Sequence, residues 1–256
     1  MNKDEKITKN NNFLFLYYIM EPKKIILIIL IFILFLLLIH YVMKDSNKLT
    51  DLTSAETVQT ISAGDLPDGE SSSNFTYSIW FYIDDWNYRY GDRKVLFERV
   101  ANNVLCPQVL FTPSVNNLVV NVTIYPANTN TVTNDAITDV FTCGIPNVPL
   151  QKWCNFLMTS YGRTIDLYLD GKLVKTCVLP GVPKIEPSAP VYITPNGGFS
   201  GWTSTFKYWG ESTNPQKAWD IYKEGYGGNW LGNLFGQYSL KVSIVEGDTE
   251  ETTITI

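Results

Sequence analysis

Residues 153–182, WCNFLMTSYGRTIDLYLDGKLVKTCVLPGV, read as three consecutive antiparallel strands. The first is Trp153–Tyr161, and a Gly162-Arg163 turn leads into the second, Thr164–Leu169. Asp170-Gly171 then reverses the chain into Lys172–Leu179. An Asp-Gly pair between alternating apolar residues is a strong hairpin signal. A type I′ turn needs positive φ at both central positions, and these two residues tolerate it best. Ile165, Leu167 and Leu169 line one side of the middle strand, while Asp166 and Tyr168 line the other. Such a period of two lets one face pack on a second sheet. A hairpin of this size is not stable alone, so the flanking chain must supply more strands.

It does. FTYSIWFYI (75–83) sets Phe75, Tyr77, Ile79, Phe81 and Ile83 against Thr76, Ser78, Trp80 and Tyr82, and both sets are rich in apolar or aromatic residues. That pattern suits a central strand covered on both faces. Further strands are expected at Thr57–Ser62, Lys94–Val100, Gln108–Thr112, Leu118–Tyr125, Ile137–Thr142, Val191–Thr194 and Gly201–Trp209, with Tyr238–Val245 and Thr252–Ile256 closing the domain. PANTNTVTND, within 126–135, is a polar exposed loop. Asn214 suits an N-cap, Pro215 the first helical position and Gly225 the position after the last turn, which predicts one helix, Pro215–Glu224. Ala218, Ile221 and Tyr222, with Trp219 beside them, give it an apolar face for the rim of the fold. The expected architecture is all-β: a two-sheet antiparallel sandwich or jelly roll with one short rim helix.

Ahead of this domain, expected over 74–256, lie three other segments. Residues 1–24 are an Asn/Lys-rich tail, either disordered or lying at a membrane surface. Ile25–Met43 is an apolar run of nineteen residues with no charge, closed by Lys44-Asp45. As a helix it reaches roughly 28 Å, close to the hydrocarbon thickness of a bilayer. It is too long for the h-region of a cleaved signal peptide, and no small-x-small cleavage site follows. The expectation is a single transmembrane anchor. Five Lys precede it and only Lys44 and Lys48 follow closely, so the N-terminus belongs in the cytosol and the domain outside. Residues 44–73, rich in Ser, Thr, Asp and Gly, read as a stalk.

Composition removes several functions. The single histidine, His40, lies in the apolar run, so the globular part has no Ser-His-Asp or Cys-His catalysis and no His-containing zinc site. From Asp45 onward 14 Lys/Arg face 22 Asp/Glu, a net −8 without a basic stripe, which speaks against nucleic-acid binding. The four cysteines, Cys106, Cys143, Cys154 and Cys177, form no C-x-x-C pair. Of their three pairings Cys143–Cys177 is favoured, since both flank the central strand trio near its Pro/Gly-rich edge. Cys106 and Cys154 are then a second bridge or two buried thiols, and a cytosolic domain would favour free thiols throughout. Two sequons, Asn74-Phe75-Thr76 and Asn121-Val122-Thr123, are candidate glycosylation sites for an exterior domain.

The candidate ligand site is the loop that begins Asp84, Asp85, Trp86, Asn87, Tyr88, Arg89, Tyr90 and runs on to Arg93. Rings stack on the apolar face of a pyranose, while Asp and Asn hydrogen-bond paired hydroxyls. Asp84 and Asp85 also suit calcium, a hard cation that takes oxygen ligands. The alternative to both is that Trp86 and Tyr88 pack inward while Asp and Arg pair across the turn. No other cofactor and no transition-metal site is expected.

The pattern W-x-x-x-x-x-S-Y-x-R-T-I-D-L-Y-L-D-G-K-L-V resembles the laminin-G-like branch of the concanavalin A-like lectin/glucanase superfamily. NFTYSIWFYIDDWNYRYG (74–91), PLQKW (149–153) and the GGFSG…YW…P…AW…Y…GYGG series (197–228) are similar to membrane-anchored forms of that domain in large DNA viruses of algae and protists. The likeness covers roughly residues 55–256 and implies a concanavalin A-like jelly roll. Glucanases of the superfamily carry E-x-D-x-x-E on their catalytic strand, which is absent here; the resemblance makes Asp166 a hairpin residue and the chain no enzyme. The function it implies is a virion membrane or minor structural protein contacting a capsid or envelope partner. The alternative is a lectin-like module for host or viral carbohydrate.

Overall fold

The computed structural model describes residues 22–42, 47–67, 73–125, 139–227, 241–246 and 249–255, with side chains for 23–38, 47–67, 73–125 and 139–227. The tail before Pro22, the loop 126–135, the start of the expected strand Tyr238–Val245 and the last residue of the expected strand Thr252–Ile256 fall outside these residues. The chain divides into two units, Met1–Ser46 and Asn47–Ile256.

In the first unit, Pro22–Val42 forms helix α1, 21 residues long and about 31 Å at 1.5 Å per residue. It starts three residues before the apolar run, because proline at the first helical position gives up no hydrogen bond. Ile26 to Leu38 are all largely exposed. Among the fully described residues, which in α1 stop at Leu38, no helix is long and apolar enough to cross a membrane.

The second unit is a sandwich of two six-stranded antiparallel sheets. Its strands in chain order are β1 (Thr53–Ser54), β2 (Gln59–Ile61), β3 (Phe75–Asp85), β4 (Lys94–Ala101), β5 (Val104–Phe111), β6 (Leu118–Ile124) and β7 (Asp139–Ile145). There follow β8 (Cys154–Tyr161), β9 (Thr164–Leu169), β10 (Lys172–Val178), β11 (Val191–Ile193) and β12 (Ser200–Trp209), then helix α2 (Pro215–Lys223). The first sheet runs β1-β12-β3-β8-β9-β10 and the second β2-β11-β4-β5-β6-β7. A separate hairpin pairs β13 (Lys241–Glu246) with β14 (Thr249–Thr255). Residues 47–67 belong to the sandwich: β2, inside the strand expected at Thr57–Ser62, pairs β11, while the rest, read from the sequence as stalk, adds β1 paired with β12, and Ala55, Ile61 and Leu66 are buried.

The alternation of β3 sets both layers. Phe75, Tyr77, Ile79, Phe81 and Ile83 fill the space between the sheets with Phe97, Phe111, Phe156 and Phe206. Their rings meet edge-on or tilted, Tyr77–Phe97 at 5.5 Å, Phe81–Phe111 at 5.4 Å and Phe97–Phe206 at 5.2 Å, geometries that aromatic quadrupoles favour. Arg99 on β4 is buried in this layer. It donates to the carbonyls of Ala189 and Pro187 at 3.1 and 3.0 Å and to the Tyr77 hydroxyl at 3.4 Å. It therefore ties the Pro-rich crossing between β10 and β11 to the core.

The β9–β10 turn has the expected positive φ at both Asp170 and Gly171. Gly171 is needed for a second reason: a Cβ there would lie 2.9 Å from both Trp219 Cε3 and Tyr222 Cβ. The hairpin is the seat of α2, whose Ala218 and Ile221 pack on Leu157 and Tyr168. Asn214 caps the helix by accepting from the Lys217 N–H at 2.9 Å, worth roughly 1 kcal/mol.

Cys143 and Cys177 form a disulfide, with Cα atoms 6.3 Å apart. It joins β7 to β10, the open edge of one sheet to the open edge of the other. Cys106 and Cys154 are free and buried. Burial pushes each thiol up to about 12. Between pH about 9, where an unfolded thiol ionises, and 12 the folded chain holds the extra protons, so stability falls as pH rises through that window. The thiolate is the reactive form. A native sample at pH 8 should therefore show no reaction with an aromatic disulfide reagent, and two thiols should appear on unfolding in urea. Fast native labelling would contradict this burial.

Candidate functional site: a row of aromatic rings

On the outer face of the first sheet, β3 presents Thr76, Ser78, Trp80 and Tyr82. The segment from Glu211 to Tyr226 covers the half of that face around Thr76. Thr76 Oγ1 bonds to Thr159 Oγ1 at 2.9 Å and donates to the Glu211 carbonyl at 2.8 Å. The Thr213 N–H donates to Thr159 Oγ1 at 2.9 Å, and the hydroxyls of Ser204 and Thr205 donate to the Tyr226 carbonyl at 2.6 and 2.7 Å. Lys207, buried, pairs with Glu224.

Where this cover ends, rings begin. Trp80 is buried under Tyr222, stacked at 5.6 Å and 19°, with Tyr226 edge-on at 6.3 Å. Tyr226 lies flat on Trp153, 4.6 Å away and 3° from parallel. Trp153 meets Tyr82 at 5.7 Å and 52°, and Tyr82 meets Trp202 at 5.7 Å and 55°. Trp219 extends the other end, 5.4 Å from Tyr222. Trp202 is 42 % exposed, Tyr226 46 % and Trp219 39 %. Seven rings from β12, β3, the approach to β8, α2 and the turn after it thus form one continuous row.

Polar groups beside the row are mostly engaged. Lys152 Nζ lies 2.9 Å from Asp170 Oδ2, and this hydrogen bond holds the ammonium above the usual lysine value. Asp170 Oδ1 accepts from the Asn155 N–H at 2.9 Å. Asn155 is wholly buried opposite Trp80; its amide N–H donates to Ser78 Oγ at 3.1 Å, and its Oδ1 has no partner among the described residues. Asp84 and Asp85, both exposed, close β3 two and three residues beyond Tyr82. The Gln151 amide donates to the Asp84 carbonyl at 3.3 Å.

The loop offered as a ligand site follows in part the alternative read from its sequence, with rings inward and Asp and Arg paired. Trp86 packs against the core, edge-on to Phe111 at 6.2 Å, with Lys94 Nζ 4.8 Å from its ring centroid. Lys94 also donates to the Arg89 carbonyl at 3.0 Å, and burial lowers its pKa. Arg89 pairs with Asp92 at 3.3 Å and donates to the Asn196 carbonyl. The Asn87 N–H donates to Asp85 Oδ1 at 2.8 Å. The inward-packing alternative thus describes Trp86 and Arg89, Tyr88 is half-buried, and Tyr90 is 61 % exposed. Among the described residues no three His, Cys, Asp or Glu side chains group to hold a metal.

Both sequon asparagines are half-buried and engaged. Asn74 Oδ1 accepts from the Gly162 N–H at 2.9 Å. Asn121 points outward from β6, donating to Gln108 Oε1 at 3.1 Å and accepting from Thr142 at 2.9 Å. Their partners Thr76 and Thr123 are fully buried.

Two packed antiparallel sheets, with an aromatic surface on the outer face of one, define a lectin-type sandwich. A family model described as concanavalin A-like lectin/glucanases superfamily matches residues 56–217, and the chain belongs to that family. No curated protein matches its sequence. Among solved structures it is similar to the receptor binding domain of botulinum neurotoxin mosaic serotype C/D, with a TM-score of 0.50 and 12% identity over 72% of this chain and 49% of that one. It is also similar to the binding domain of botulinum neurotoxin serotype D/C VPI 5993, with a TM-score of 0.45 and 17% identity over 59% and 36%. A third is the serotype D ligand binding domain in complex with N-acetylneuraminic acid, with a TM-score of 0.49 and 13% identity over 70% and 49%. The chain spans between about a third and a half of these chains, and the likeness is one of fold.

Proposed function

We propose that this chain is a non-catalytic binding protein, held to a membrane by α1, whose ring row docks a protein partner. The observation that carries the reading is the row itself, an aromatic strip on a sheet face with three of its rings about two-fifths exposed or more. Exposed contiguous apolar surface of this kind marks interaction sites, and Trp and Tyr dominate interface energetics. Protein is favoured over glycan by two details. Tyr226 and Tyr222 each occupy one face of an indole that a pyranose would stack on, and both Asp170 oxygens already hold hydrogen bonds. Asp166, the one acid inside the hairpin strands, accepts from Thr176 at 2.6 Å, which supports a structural role rather than glycoside hydrolysis.

The anchor rests on the apolar run Ile25–Met43 and the 21-residue helix that contains most of it. With the lysines ahead of it, the domain faces away from the cytosol, on a virion or a host-derived internal membrane. The partner there is a capsid or envelope neighbour. Alkaline carbonate extraction should leave the chain in the membrane pellet, and protease added to intact membranes should report which side the domain occupies.

The docking test places a photo-crosslinking residue at Trp202 of the full chain in its native membrane, with the same residue at Val140 on the second sheet as control. A discrete adduct from position 202 alone is expected. Trp202→Ala should weaken that partner at least tenfold, the loss typical of an interface anchor. Binding on a glycan array that disappears in Trp202→Ala would replace this reading with the lectin-like one.

A further inference from the structure

We infer that Asn121 carries an N-linked glycan, which covers the outer face of the second sheet. The inference takes from the proposal above only the orientation of the domain, away from the cytosol, where this modification is made.

The sequence supplies the acceptor triplet Asn121-Val122-Thr123, and the structure supplies the direction of its amide. Val120 and Val122 belong to the core, which turns Asn121 outward. Glu98, Gln108, Asn121 and Thr142 are direct cross-strand neighbours on β4, β5, β6 and β7. An ionised carboxylate only accepts hydrogen bonds, so Glu98 sets the sense of this row. Gln108 turns its NH2 group to Glu98 at 2.7 Å and its Oε1 to Asn121 Nδ2 at 3.1 Å. Asn121 Oδ1 then accepts from Thr142 at 2.9 Å. The Asn121 amide thus lies across the strands, with its oxygen toward β7 and its nitrogen toward β5.

A planar amide held in this way aims its two N–H bonds differently. One runs sideways to Gln108. The other continues the Cβ–Cγ direction, out of the sheet, and meets no acceptor among the described residues. A secondary amide is trans, so a sugar bonded to Nδ2 takes the place of that second hydrogen. Glycosylation of Asn121 therefore leaves each bond of the row in place.

The surface has room for the sugar. An open depression beside Asn121 is lined by Arg93, Leu110, Thr112, Val119, Val140 and Thr142. Gly144, the partner of Val119 on β7, adds no side chain to it. Val140 is 51 % exposed and gives the first sugar ring apolar surface to rest on. Asn74 is set differently, with its Oδ1 held by the Gly162 N–H at the β8–β9 turn, and serves as the comparison site. A glycan on the second sheet leaves the ring row, on the outer face of the first, bare for docking.

The test isolates the full chain from eukaryotic membranes and maps intact glycopeptides by mass spectrometry. The peptide holding Asn121 should carry an N-acetylhexosamine-based glycan on most copies. Asn121→Gln should abolish it and Asn74→Gln should leave it. Protease protection on the same membranes fixes the side of the domain independently. An unmodified Asn121 in a domain shown to lie outside the cytosol overturns this inference and leaves the docking reading standing. An unmodified Asn121 in a cytosolic domain overturns the inference and the orientation together. The glycosylated chain and chain made with N-glycosylation inhibited should also unfold at the same urea concentration. A midpoint lowered by the glycan would mean that the sugar displaces Gln108, which overturns the outward placement.

Discussion

Replacing Arg99 by Met lowers the stability of the sandwich by about 3–5 kcal/mol, because it strands two buried acceptors at once, the Ala189 carbonyl and the Tyr77 hydroxyl. Arg99 is 3 % exposed, and its guanidinium bonds to the carbonyls of Ala189 and Pro187 and to the hydroxyls of Tyr77 and Tyr208. Met fills much of the same volume without a single donor, so packing survives and hydrogen bonding does not. Each orphaned carbonyl costs roughly 1–3 kcal/mol in such a site. Arg99→Lys should recover only part of the loss, since one ammonium cannot span the separated acceptors that the planar fork reaches. Burial also pushes the Tyr77 phenol well above its usual range, so its hydroxyl stays protonated and keeps a lone pair for Arg99 at all ordinary pH values. Urea titration followed by tryptophan fluorescence measures both variants. A midpoint unchanged in Arg99→Met would show that the crossing between β10 and β11 holds without its clamp.

The paired substitution Cys143→Ser, Cys177→Ser should cost about 3–4 kcal/mol, the chain-entropy value for a bridge with a sequence separation of 34. The bridge sits where the sandwich has least else to hold it. β7 and β10 are the last strands of their sheets, and most of the β10 side chains are exposed. The variant should therefore open first along this edge, seen as faster amide exchange in β7 and β10 than in β3 or β8. Equal stability of the variant and the parent under oxidising conditions would mean that the edge is held by its packing alone.

The parts of this fold legible in the sequence are those whose signal is local. The Asp170-Gly171 turn announces itself through two residues, and Pro215 with Asn214 marks a helix start wherever the chain goes next. The double-sided burial of β3 was equally readable, because its two alternating sets are both rich in apolar residues. The ring row was not. Its members lie on five segments separated by up to 146 positions, Trp80 to Tyr226, and no periodicity links them. The one pointer was that Trp80, Tyr82, Trp219 and Tyr222 all needed a second apolar layer. The loop 84–93 left two readings open for the opposite reason. It concentrates ligand-type residues in a short stretch, yet Trp86 is drawn to Phe111 and Arg89 to Asp92 and the Asn196 carbonyl. Thr57–Ser62 was legible as the strand that holds β2, but Thr53–Ser54 has a linker's composition and gains its strand hydrogen bonds only from β12, far along the chain.

The turn beneath α2 carries a consequence for how this hairpin tolerates change. At most left-handed positions asparagine is an acceptable substitute for glycine, because its backbone cost is small. At Gly171 that exchange is closed: any β-carbon, whatever side chain follows, collides with Trp219 and Tyr222. The floor of the hairpin and the placement of two members of the aromatic strip are thus locked to a single hydrogen atom, and drift at that codon would be felt first at the docking face.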